Sequence, residues 1–179
     1  RNYWQAGKSV EGIQGIESTL GAVATNNVNP AVRAAAYEAL VKLGTPDSIA
    51  PLRSRLAGEE YPTLLRLIEK KPTEALIQLL VETAQVTPDA KARDEMHVTL
   101  GVVGGQAALE YLIKAALPGG RFFGRKPSAI RISAVRGLAQ TDQPAAIGTL
   151  EELARDRNNV VAEAAREALR EGSVGIKPA

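Results

Sequence analysis

The chain has 179 residues, of which 45% are hydrophobic, 4% aromatic and 23% charged, and its formal net charge at pH 7 is +2. This length suits one domain or about five repeats of roughly 30–40 residues, and a charge so close to neutral gives no general attraction to nucleic acid or to an anionic membrane. The absence of cysteine excludes disulfides, thiolate metal sites and a cysteine nucleophile.

The first part of the chain is predicted to form two helices after a short irregular lead-in, residues 1–9. Val10–Ala24 is predicted as a helix because its apolar residues recur at helical spacing. These residues are Ile13, Ile16, Leu20 and Val23. The Asn29-Pro30 pair supplies an N-cap and a first helical residue for a second helix, Ala31–Leu43. Gly44 is placed to end that helix in the left-handed conformation.

The chain is predicted to continue in helix pairs to the end of a single domain, residues 10–172. The predicted helices are Ser48–Leu56, Tyr61–Lys70, Thr73–Gln85, Pro88–Val103, Ala107–Ala116, Ser128–Ala139, Pro144–Arg155 and Asn159–Glu171. Residues 173–179, which contain Gly and Pro, are predicted to be a flexible tail. No segment alternates apolar and polar residues as a strand would, so we expect an all-α fold.

Three segments of the chain resemble one another. They are Ala31–Leu40, Ala129–Leu138 and Val160–Leu169, and the last two end 31 residues apart. Self-similarity at a period near 30 residues is typical of stacked helix pairs, so the sequence predicts an α-solenoid. Such an array offers a surface for holding other molecules and seldom carries a catalytic centre by itself.

These segments resemble HEAT repeats of the bacterial variety found in phycobilisome-lyase-like arrays. The family pattern, Asn or an acid, Pro, x-Val-Arg-x-x-Ala-x-x-Ala-Leu-x-x-Leu-Gly, is matched almost in full from Asn29 to Gly44. The resemblance implies a right-handed solenoid of about five stacked antiparallel helix pairs, with the Ala and Leu positions in the core. It also implies that Arg33 and Arg131 bond to neighbouring turns. Because proteins of this shape mostly bind proteins, it implies a non-enzymatic scaffold or adaptor within a larger bacterial protein.

The loop Pro118–Pro127 departs from the repeat. Leu100 and Leu138 lie 38 residues apart, seven more than the next repeat needs, and this loop holds the excess. It contains both Phe residues of the chain between basic residues, a combination enriched at protein interfaces. The candidate partner-binding residues are Arg121, Phe122, Phe123, Arg125, Lys126 and Arg136. Three interpretations stay open: a Phe that fills a gap between helix pairs, contact with a partner protein, and contact with nucleic acid.

The sequence points to no catalytic residue, metal or cofactor. His97 is the only histidine, and although Asp94 and Glu95 lie beside it, a metal centre needs several convergent ligands. A Ser-His-acid triad would include His97, but no Gly-x-Ser-x-Gly turn accompanies it. We therefore expect a packed or surface histidine, and no small-molecule substrate is evident. Gly104-Gly105 is expected to cap helices.

A protein partner is therefore the leading expectation. The alternatives are nucleic-acid binding by the basic loop, as in HEAT-like DNA-repair glycosylases, and an accessory subunit of a lyase-type enzyme. No apolar run approaches the roughly 18–20 residues of a transmembrane helix, so no membrane partner is expected. A cytoplasmic location is favoured, although a lack of cysteine does not fix the compartment.

Overall fold

The computed structural model of the chain describes residues 6–119 and 126–175, and it describes side chains over 15–119 and 126–171. These residues form eleven helices and no strand, which confirms the predicted all-α fold of the α-solenoid class. The chain divides into two compact units, Arg1–Leu79 and Leu80–Ala179, where the sequence predicts one continuous domain. The boundary between the units falls within the sixth helix.

The first unit contains five helices and the beginning of a sixth. They are α1 (Ala6–Asn26), α2 (Pro30–Leu43), α3 (Pro46–Ile49), α4 (Leu52–Leu56), α5 (Tyr61–Lys70) and α6 (Glu74–Val86). Two predictions need correction. Residues 6–9 are helical, so the predicted irregular lead-in over 1–9 ends no later than residue 5. The predicted helix Ser48–Leu56 is divided into α3 and α4 at Pro51, because proline cannot donate the hydrogen bond that would continue α3.

Local sequence sets the ends of α2 as predicted. The Asn29 side chain accepts a hydrogen bond from the Ala31 amide at 2.9 Å, and Pro30 is the first residue of the helix. Gly44 ends α2 with a φ of +66°, a left-handed conformation that costs glycine little. Thr45 then caps α3 and exchanges hydrogen bonds with Ser48 in a capping box.

The buried face of α1 is only partly the apolar face that the sequence predicts. Ile16 is 54% exposed and Leu20 and Val23 are half-buried, whereas Glu17, Gly21 and Ala24 are buried. A Cβ on Gly21 would lie 2.9 Å from Pro51 Cγ, so small residues let α1 approach the chain around Pro51. The Glu17 carboxylate accepts a hydrogen bond from the Thr45 hydroxyl. Close backbone approach, rather than the apolar spacing, therefore decides how α1 packs.

The second unit continues from α6 into five further helices. They are α7 (Ala90–Val103), α8 (Gln106–Ala116), α9 (Ser128–Leu138), α10 (Pro144–Leu153) and α11 (Asn159–Gly175). The first helices of successive pairs stack, α7 on α9 and α9 on α11, while α8 packs on α7 and α9, and α10 on α9 and α11. Helix α11 continues to Gly175, so residues 173–175 of the predicted flexible tail are helical.

Leucines and small residues make the core that the repeat predicts. Leu40, Leu100 and Leu138, which end corresponding segments, are fully buried. Glycines bring α7 and α9 close together, because an ideal Cβ on Gly101 would lie 1.9 Å from the Gly137 carbonyl oxygen. The pair therefore depends on two positions without side chains.

None of the helices that the structure describes is long and apolar enough to cross a membrane.

Candidate interaction site

The predicted partner-binding residues lie in and near the connection between α8 and α9. Arg121, Phe122, Phe123 and Arg125 lie outside the described residues. Lys126 and Arg136 are described, and the structure does not bring them together in one site. Arg136 Nη1 lies 2.9 Å from the Asp94 carboxylate on α7, and the Arg136 side chain is 60% exposed. Arg136 is therefore an ion-paired surface residue in the last turn of α9.

Lys126 closes the carboxyl end of α8. Its ammonium donates hydrogen bonds to the carbonyl of Lys114 and, at 3.1 Å, to the carbonyl of Leu117. A cation is favourable here because the last carbonyls of a helix have no intrahelical partner. Burial, followed by the nearby charges of Arg131 and Lys114, lowers the pKa of Lys126 below its ordinary value. The residue is half-buried and lies near two other cations.

Beside Lys126 lies a cleft of about 300 Å³, which we call the basic cleft. Its lining residues come from α6, α7, α8 and the start of α9: Ala84, Gln85, Arg93, Tyr111, Lys114, Ala115, Lys126 and Ile130. Three of these side chains are cations, and none of the described lining residues is acidic. The alanines and Ile130 provide apolar walls between the charges. The basic cleft can therefore hold a group that is both negatively charged and partly apolar.

In the first unit, Arg33 forms hydrogen bonds both to the turn before its own helix and to the residue that precedes α5. Its Nη1 donates to the carbonyls of Asn27 (2.7 Å) and Val28 (3.1 Å), and its Nε donates to Glu60 at 2.8 Å. The Tyr37 hydroxyl donates to the same carboxylate at 2.6 Å. Burial would raise the pKa of Glu60, but the hydrogen bonds from Arg33 and Tyr37 outweigh it and lower that pKa.

Arg131 has the corresponding role in the second unit. Its Nε donates to the carbonyl of Ala116 at 2.7 Å, and its two terminal nitrogens lie 3.2 and 2.5 Å from the oxygens of Asp156. The bonding of Arg33 and Arg131 to neighbouring turns, implied by the resemblance, is thus confirmed. Asp156, which lies between Arg155 and Arg157 in the sequence, thus pairs with an arginine 25 residues away.

Arg93 is a third member of this series that the sequence analysis missed. It follows the N-cap residue Asp89 by four positions, as Arg33 follows Asn29 and Arg131 follows Pro127. It also donates to the carbonyl of Thr87, six residues before it, as Arg33 donates to the carbonyl of Asn27. The spacing from the N-cap is the signal that could have identified it.

His97 is a buried, hydrogen-bonded histidine, as expected. Its Nε2 lies 2.8 Å from the Tyr111 hydroxyl and its Nδ1 lies 2.8 Å from the Ser133 hydroxyl. Burial is the main reason that its pKa is lowered to about 4, with the charge of Arg93 contributing. Both ring nitrogens are thus engaged in joining α7 to α8 and α9. Within the described residues, no group of three or more His, Asp or Glu side chains could hold a metal ion.

The burial of His97 makes stability depend on pH. We expect the free energy of unfolding to fall by about 2 kcal/mol between pH 7 and pH 5. The unfolded chain takes up a proton near pH 6.5, whereas the folded chain resists it until about pH 4, so the unfolded state binds more protons across this window. Urea unfolding at both pH values measures the difference. Since His97 is the only histidine, a His97→Gln variant should lose this dependence, and a variant that keeps it would contradict the assignment.

Comparison with known families agrees with the packing of the first unit. Residues 12–69, from within α1 to the last turn of α5, match the family described as HEAT repeats. A search among curated proteins found no match. The matched range contains Arg33, Tyr37 and Glu60, while the segments ending at Leu138 and Leu169 lie outside it. The match supports the HEAT-repeat family, whose members commonly serve as scaffolds for protein interaction.

Proposed function

We propose that this chain is a non-enzymatic helical-repeat module that binds a protein partner, as part of a larger bacterial protein. The observation that carries this proposal is that some of its polar side chains form bonds within the chain and others line a cleft. Arg33, Arg131 and His97 bond to neighbouring helices and turns, whereas the basic cleft presents three cations and, among its described lining residues, no acidic one. The HEAT-repeat match supports the same class of function.

Protein binding is favoured over nucleic-acid binding because two basic residues of α9, the helix that follows the loop, are neutralised. Arg131 is paired with Asp156, and Arg136 is paired with Asp94. A nucleic-acid groove needs a continuous track of cations that contact successive phosphates. The proposed contact residues are Arg121, Phe122, Phe123, Arg125 and Lys126, from the sequence of the loop; Arg136 is omitted because Asp94 holds it.

Affinity purification after cross-linking in the native host tests the proposal. We expect a protein to copurify with the intact chain and to bind it again when both are purified, as measured by titration calorimetry. A second chain carries Gly or Ser at Arg121, Phe122, Phe123 and Arg125. It should lose at least about tenfold in affinity, because aromatic and Arg residues dominate interface energetics.

Both chains must unfold at the same temperature for the comparison to count. Copurification of nucleic acid, with affinity that falls steeply as salt rises, would replace the proposal by the nucleic-acid alternative. If no macromolecule copurifies and rebinds, the interaction module itself is contradicted. If the partner rebinds both chains equally, the module stands and the loop is not its contact.

A further inference from the structure

The repeated arginines suggest what the basic cleft binds. Arg33 reaches a carboxylate 27 residues later, Glu60, and Arg131 reaches one 25 residues later, Asp156. Both carboxylates lie at the start of the next repeat: Glu60 directly precedes α5, and Asp156 is three residues before the first residue of α11. An arginine at this position therefore bridges its own repeat to the next through a carboxylate.

Arg93 has the same position and the same backbone bond, but its carboxylate is missing. The corresponding stretch of chain is Pro118–Pro127, the connection that holds the seven additional residues, and it contains no Asp or Glu. Among the residues that the structure describes, no carboxylate forms a salt bridge with Arg93, Lys114 or Lys126. Arg93 is half-buried, so its charge is partly removed from water without the neutralisation that Arg33 and Arg131 receive.

We propose that the basic cleft binds an acidic segment of the partner protein, with a partner carboxylate seated between Arg93, Lys114 and Lys126. This inference rests on the proposed function and names the chemistry of the partner. The carboxylate supplies to the third repeat what Glu60 and Asp156 supply to the first and fourth. At the basic cleft, the carboxylate that the chain itself supplies to Arg33 and Arg131 is therefore supplied to Arg93 by another protein.

The shape of the basic cleft favours a protein segment over other anions. Its volume of about 300 Å³ accommodates one or two side chains, and Ala84, Ala115 and Ile130 offer apolar contact to the methylenes of a glutamate or to a neighbouring apolar residue. Burial and, after it, the charges of Arg131 and Lys114 lower the pKa of Lys126, and an incoming carboxylate would offset these charges. A bidentate bond from a guanidinium fits a carboxylate well.

A second cleft shows the contrast. It has a volume of about 620 Å³, and its charged lining residues are four cations, Lys126, Arg131, Arg155 and Arg157, and three carboxylates, Glu151, Glu152 and Asp156. Most of its positive charge is therefore balanced by carboxylates of the chain itself. The unbalanced positive charge is on the side of Arg93 and Lys114.

Fluorescence anisotropy with labelled synthetic peptides tests the inference on the full chain. The probe is a short peptide in which glutamates flank a leucine, and its counterpart has glutamine in place of each glutamate. We expect the acidic peptide to bind the intact chain. Lys114→Glu should lower the affinity for this peptide by about tenfold, because the variant places a negative charge beside the carboxylate. Lys114 is exposed, so its substitution leaves the fold intact.

Lys91→Glu is the matched control, because it makes the same change of charge on an exposed residue of α7 that does not line the basic cleft. It should leave affinity within about twofold, as distant surface charges are screened. Equal binding of both peptides, equal loss in both variants, or no binding of the acidic peptide at low salt would each overturn the inference. Preferential binding of single-stranded oligothymidylate that Lys114→Glu abolishes would overturn it in favour of nucleic acid.

The partner from the host, once purified, separates this inference from the proposed function. A partner that binds the intact chain and Lys114→Glu equally contradicts the acidic-segment inference and leaves the interaction module standing. A partner that is weakened by Lys114→Glu but not by Lys91→Glu supports both. If the peptide binds as expected and no partner rebinds, the proposed function fails although the cleft recognises carboxylates.

Discussion

Replacing Gly101 by alanine should lower the free energy of unfolding of the second unit by about 3 kcal/mol, the upper part of the range for overpacking. The new Cβ would lie 1.9 Å from the Gly137 carbonyl oxygen and 2.9 Å from Gln140 Cβ. Because the closest atom is backbone, no change of rotamer can relieve the contact, and α7 and α9 must move apart. Urea unfolding followed by circular dichroism measures the loss.

Gly148→Ala provides the control with the opposite sign. Gly148 lies inside α10, and a Cβ there would meet no atom within 4 Å. Alanine has the higher helix propensity, so this variant should gain about 0.5–1 kcal/mol. Equal and small effects of the two substitutions would mean that α7 and α9 are not held as closely as the structure places them.

The sequence predicts the fold best where local residues decide the structure. The ends of α2 depend on the local residues Asn29-Pro30 and Gly44, whose conformational preferences are visible in the sequence. The buried face of α1 depends on where Gly21 meets Pro51, thirty positions away. The spacing of apolar residues gives only part of that face, because the close backbone contact buries Glu17 and Gly21 and leaves Ile16 exposed.

The candidate site was less predictable for a related reason. The resemblance correctly implied that Arg33 and Arg131 would bond to neighbouring turns, but their carboxylates, Glu60 and Asp156, are separated from them by more than twenty residues. Only the folded chain shows that one arginine of the series has no such carboxylate. Arg93 becomes informative by comparison with its two counterparts, since its immediate sequence carries no sign of a site.

The salt bridge of Arg131 gives the second large expected effect. Arg131→Met should lower the free energy of unfolding by about 3–5 kcal/mol, because it removes the guanidinium that pairs with the buried Asp156 carboxylate, which keeps the Asn158 amide as a donor, and it removes the donor to the Ala116 carbonyl. The side chains of Arg131 and Asp156 are only 6% and 12% exposed, so water cannot replace the lost bonds. Thermal and urea unfolding of the variant measure the loss.

Arg136→Met, on the same helix, shows how much of the lost stability comes from the burial of the ion pair rather than from the loss of a charge. Arg136 also forms an ion pair, with Asp94 at 2.9 Å, but it is exposed, so its loss should cost under about 1 kcal/mol. A double variant, Arg131→Met with Asp156→Leu, should recover part of the loss, because it also removes the carboxylate that has lost its cation. If Arg131→Met costs no more than Arg136→Met, the arginine series does not hold the repeats together. The absence of a carboxylate beside Arg93 would then give no reason to expect one from a partner.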